Sequence, residues 1–128
     1  MLKALTIAGT LIAAAAPAAA QSIDPLVAAI AATARQHFGH ARAIVDPSID
    51  RETVRRGAKT AQIQACGGQW DRLSFLPFMA QLRASGRYSE QQLAYIAVVH
   101  GMAQQRVYTH LTARAEPCPA AARAALAR

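Results

Sequence analysis

Two cysteines, four histidines and seven acidic residues are the groups in this 128-residue chain able to hold a metal or carry a catalytic step. The cysteines, Cys66 and Cys118, stand far apart, and neither belongs to a C-x-x-C pair. Cys118 is fixed in the run Pro117-Cys118-Pro119. With two cysteines only one intramolecular pairing exists, so a structural disulfide is the expected arrangement, with a redox or metal pair as the rival. Closing a loop of about 50 residues contributes roughly 4 kcal/mol in the chain-entropy account.

His37, His40, His100 and His110, with Met79 and Met102 as soft donors, are the candidate metal ligands. His37 and His40 are spaced as neighbours on a helix, but Gly39 falls between them and is expected to end that helix. His100 lies on an apolar stripe near Met102, where a hydrogen-bonded core histidine competes with a buried copper or haem ligand. The chain contains no H-E-x-x-H, C-x-x-C-H or cluster of carboxylates, so no metal or cofactor is assigned. Among the acids, Asp24 and Asp46 read as helix caps and Glu90 as a first-turn charge, leaving Asp50, Glu52, Asp71 and Glu116. No G-x-S-x-G, Walker or glycosidase-type pairing stands out, and no catalytic residue is named.

Two further groups could bind. Arg51, Arg55 and Lys59 recur every four residues on one helical face, flanked by Arg56, and form a candidate face for anions or a partner. Asp50 and Glu52 interrupt the charge and no aromatic residue is interleaved, which argues against nucleic acid and leaves a solvated face as the plainer reading. Trp70, Phe75, Phe78 and Met79, with His100, form a candidate apolar pocket. The same residues are what a small helical core requires.

The elements that would position these groups begin with an export signal. Lys3 precedes an uncharged stretch from Ala4 to Ala16, followed by Pro17 and Ala18-Ala19-Ala20. That is the order of a basic n-region, an apolar h-region and an A-x-A cleavage site, so residues 1-20 are expected to be removed. The apolar core is shorter than the about 20 residues a spanning helix needs, and no later segment is long and apolar enough to span a bilayer. Cleavage would leave 108 residues, 21-128, as a single helical domain with 13 basic residues, twelve of them arginine, against seven acidic ones. A periplasmic or secreted address follows, and it is the oxidising compartment that favours a Cys66–Cys118 bond.

Helix punctuation recurs along the remainder, with no convincing strand pattern. Asp24-Pro25 starts a helix of about 25-38, and Asp46-Pro47 starts a second that reaches toward Cys66 and stops at Gly67-Gly68. Gly57 weakens the middle of the second, and residues 60-66 could instead be extended. Pro77 suggests a short turn over 70-75 and a helix from Leu76 that ends before Gly86. Ser89 and Gln92 form an S-x-x-Q capping box for a long central helix to about Thr112, and Ala120 to Ala127 could form a last short helix. The expected fold is all-α: a small bundle of about four helices closed by one disulfide.

The segment Tyr88-Ser89-Glu90-Gln91-Gln92 resembles the L-T-x-x-Q signature of periplasmic helical stress chaperones over five residues with two conservative replacements, and a capping box generates the same pattern. No site is carried across from it. The function expected by exclusion is non-enzymatic binding of a protein or an anionic envelope component. The alternatives are a small-ligand or metal carrier using His100, Met79 and Met102, and an envelope hydrolase whose acid would be Glu52, Asp71 or Glu90.

Overall fold

The computed structural model describes residues 23–40 and 42–127. The expected signal peptide, 1-20, lies outside the described residues. The remainder forms α1 (Ile23–His37), α2 (Pro47–Ala65), a π-helical turn (Asp71–Phe75), α3 (Leu76–Ala84), α4 (Glu90–Thr112) and α5 (Ala120–Leu126), with no strand among the described residues. The all-α bundle is thus as expected, built from four longer helices and one short terminal one.

Local chemistry explains the boundaries. The Asp46 carboxylate accepts from the Ser48 N–H at 2.8 Å, and Pro47 opens α2 without wasting a donor. At the other end Gly67 adopts φ +76°, a left-handed conformation open to glycine, and the Gly68 N–H returns to the Ile63 carbonyl at 2.9 Å. The whole of 58-65 is helical, so the extended alternative is not adopted.

Pro77 has no N–H and its ring would crowd the Leu73 carbonyl one turn back. The chain widens just before it, with the Leu76 N–H bonding Asp71 O across the π-helical turn. Ser89 and Gln92 close the capping box in both directions, at 3.1 and 2.9 Å, and start α4 at Glu90.

Helix α4 is the axis of the bundle: α1, α2 and α3 all pack on it. Ile30 and Ala34 of α1, Val54 of α2, and Phe78 and Met79 of α3 meet Leu93, Tyr95, Ile96, Val99 and Ala103 of α4 in one core. The pairs Asp50–Tyr95, Thr60–His100 and Gln64–Gln104 advance together along both helices, so α2 and α4 run in the same direction. Their closest approach is at Gly57. A Cβ there would lie 2.6 Å from His100 O and 2.7 Å from the Ala103 Cβ. The glycine expected to weaken α2 is instead what lets the two backbones meet.

Candidate functional site

Cys66 and Cys118 are joined as a disulfide, with Cα atoms 4.9 Å apart. The bond ties the end of α2 to the segment before α5, and α5 packs on α2 alone among the helices.

The basic face is largely engaged with acids of its own chain. Arg51 reaches Asp24 on α1 at 3.2 Å, and Arg55 and Arg56 share the Glu52 carboxylate at 3.6 and 2.9 Å. Arg56 also lies over the Phe78 ring, 5.3 Å from its centroid. Lys59 borders a cleft between α2 and α5. Exposed pairs of this kind contribute about 0–1 kcal/mol each. They still leave less unpaired charge than four cations in a row suggest.

The aromatic set comes together but divides by depth. Trp70 packs on Phe75 with ring centroids 6.5 Å apart, and Phe75 lies 5.0 Å from the His100 ring. Phe78, Met79 and His100 are buried in the core and Phe75 is half-buried, and Phe75 and Met79 also line a surface groove. His100 is 1% exposed, and its Nε2 lies 3.0 Å from Thr60 Oγ1, which is itself 2.7 Å from Ser74 Oγ. The Thr60 hydroxyl donates to Arg56 O at 2.8 Å. Its oxygen therefore accepts from both Ser74 and the His100 Nε2–H. Burial, reinforced by the Arg56 charge, holds the His100 pKa down to about 4.

The other histidines lie elsewhere: His40 meets Gln91 at 3.0 Å and His110 meets Arg114 at 2.9 Å. Among the described residues no three His, Cys, Asp or Glu side chains converge as a metal site. Of the residues grouped as a carrier site with His100, the two methionines line different clefts. Met79 lines the groove beside α3, and Met102 lines a cleft with Ile30 and Thr33 of α1.

The groove runs between α3 and α4 with a volume of about 360 Å³. Its walls are Phe75, Leu76, Met79, Leu93, Ala94 and Ala97, with Arg83 and Glu90 as its charged residues. Leu76 is 52% exposed, and Leu73, one turn earlier in chain, is 60% exposed. Leu93, Ala94 and Ala97 were not among the candidate site residues, because the apolar stripe of a long helix does not announce which of its sides will be left uncovered.

A second pocket, of about 430 Å³, opens between α1 and the start of α2. Asp50, 5% exposed, lies in its wall and accepts from the Tyr95 hydroxyl at 2.8 Å. Arg35, Arg51 and Asp24 contribute its other charges. Burial raises the Asp50 carboxyl above its ordinary pKa, against the opposing pull of Tyr95 and Arg35. The same burial, with the Asp50 charge, raises the Tyr95 phenol far above its ordinary range. A signal for this residue did exist: Asp50, Thr53, Gly57 and Thr60 recur at three- and four-residue spacing and mark a small, polar face of α2.

No helix among the described residues is long and apolar enough to cross a membrane. No family model matches the chain, and neither a curated protein nor a solved structure resembles it.

Proposed function

We propose that this is an exported, disulfide-closed binding protein that takes an apolar segment of a partner protein into the groove between α3 and α4. The observation that carries the reading is Leu76, 52% exposed in a groove also lined by Phe75, Met79 and Leu93, with a second exposed leucine, Leu73, one turn before it in the chain. Large aliphatic side chains left in water beside a concave apolar surface are the usual mark of an interaction site. Arg83 and Glu90 at the same groove would orient a segment that carries charge of either sign. The export reading draws on the n-region, h-region and A-x-A order, and the Cys66–Cys118 bond is compatible with an oxidising compartment.

The test is a photo-crosslinking amino acid placed at position 76 in the protein expressed in its own cell envelope. A discrete crosslinked partner is expected, with capture lost in the Leu73→Asp variant while the circular dichroism spectrum stays helical. Crosslinks that are diffuse, or that survive Leu73→Asp unchanged, would remove the groove as the binding surface. Export is checked on the same preparation: intact mass should place the N-terminus at Gln21 and show no thiol alkylated before reduction.

The arginine face supports a second reading, binding of an anionic envelope component, less well. Arg51, Arg55 and Arg56 each already have a carboxylate partner, which an incoming anion would have to displace.

A further inference from the structure

We infer that the pocket between α1 and the start of α2 is a binding site for a small zwitterion of the α-amino acid class, with Asp50 taking the ammonium group and Arg35 the carboxylate. The inference does not depend on the α3–α4 groove, which shares no lining residue with this pocket.

Three observations lead to it. The first is the setting of Asp50. A carboxylate offers about four acceptor positions, and at 5% exposure this one holds one side-chain hydrogen bond, from Tyr95 at 2.8 Å. Tyr95 is itself fully buried, so the bond fixes the carboxylate from the core side and leaves it at the pocket wall. The second is the balance of charge around the cavity. Asp24 and Arg51 neutralise each other at 3.2 Å, with both side chains more than half exposed. Arg35, on α1, lines the same pocket half-buried, beside the Tyr95 hydroxyl and close enough to act on the Asp50 charge, yet the two form no ion pair. A ligand of single charge would satisfy Asp50 or Arg35 and leave the other without a counter-charge. A ligand bearing both charges satisfies the two together. The third is the remaining lining: Val27, Ala28, Ala31, Ala43 and Pro47 are small or short apolar residues. They leave room for a compact ligand and add little to hold a long apolar tail.

The raised pKa of Asp50 agrees with this assignment. Desolvation outweighs the favourable contacts that the folded chain gives the carboxylate. A side chain retained only to hold the bundle together would be better served by asparagine, which keeps the Tyr95 contact without the buried charge.

The experiment uses the purified protein with glycine and L-alanine as probes, and acetate and methylammonium as single-charge controls. Two-dimensional NMR titration should give saturable shifts at amides around Ala31 and Asp50 with either amino acid. Responses to the controls should be at least about tenfold weaker in half-saturating concentration. Asp50→Asn and Arg35→Gln should each weaken L-alanine binding by about tenfold or more. Asp50→Asn should do so while keeping or raising the midpoint of thermal unfolding, which a purely structural carboxylate would not. Leu73→Asp should leave the titration unchanged. No saturable response to either amino acid overturns the proposal. So does an equal response to acetate or methylammonium alone, or wild-type binding in a folded Asp50→Asn variant.

Discussion

Toward α2, helix α4 presents Tyr95, His100 and Gln104, each bonded to a side chain of its neighbour, whereas toward α3 its Leu93, Ala94 and Ala97 line an open groove. Both flanks belong to one helix and both are largely apolar in composition. What separates them is the distance between backbones. Gly57 lets α2 come so near that polar groups at the contact are cut off from water, and Tyr95, His100 and Gln104 bond inside the protein instead. Pro77 and the π-helical turn hold α3 short and displaced, so the facing surface stays in reach of water or of another molecule. Close approach seals one flank, and the other stays open.

The contrast can be broken most directly at Gly57. Gly57→Ala would drive a methyl group into the His100 carbonyl and the Ala103 Cβ. Backbone at 2.6 Å cannot move aside cheaply, so the loss should lie at the upper end of overpacking costs, about 3 kcal/mol. Urea unfolding at neutral pH measures it. A loss below about 0.5 kcal/mol would mean the two helices are not held at this spacing.

Acid should attack the same flank. His100 has its folded pKa depressed to about 4 from an ordinary 6.5. Between those values the unfolded chain takes up a proton that the folded one refuses, so this group's contribution to stability is level above about pH 6.5 and falls as pH drops toward 4. The full loss is on the order of 3 kcal/mol. Asp50 works in the opposite sense: its raised pKa means that folding gains protons, and stability, as pH falls through the carboxylate range. Unfolding midpoints measured from pH 7.5 to 4.5 should therefore decline in the wild type and flatten in His100→Gln. An unchanged slope in that variant would assign the acid sensitivity to another group.

Smaller gains should be available on either side. Thr53 is buried beside this contact, and its hydroxyl has no hydrogen-bond partner among the described residues. Thr53→Val should stabilise by about 1 kcal/mol by removing a desolvated hydroxyl at constant shape. Gly101 of α4 offers the counterpart to Gly57: a Cβ there meets nothing within 4 Å. Gly101→Ala should raise stability by up to about 1 kcal/mol through helix propensity alone. Two glycines on adjoining helices would then respond to one substitution with opposite signs.

The readable parts of the sequence were those set by local chemistry. Asp46-Pro47, Gly67, Pro77 and the Ser89/Gln92 box placed element boundaries to within a residue or two, because caps and breakers act over a single turn. Gly57 was misjudged for the same reason: helix propensity counts its entropy and says nothing of a neighbour arriving from 43 residues downstream, at His100. Among the candidate site residues, Phe78, Met79 and His100 are core, and Phe75 and Met79 line the groove with Leu76. The Asp50 pocket was missed because it needs α1, α2 and Tyr95 of α4 to be brought together. Arg35 and Asp50 carry no mutual spacing that a single helix could reveal.

The Cys66–Cys118 bond also sets an order of events. The two thiols are 52 positions apart, and at 5–20 residues per second the second follows the first out of the ribosome after roughly 3–10 s. During that interval Cys66 has no partner in its own chain, and α3 and α4 must be made before the ring can close. The covalent link can therefore close only after α3 and α4 have been made. A chain delayed before Cys118 would present a lone thiol to any oxidised neighbour it met.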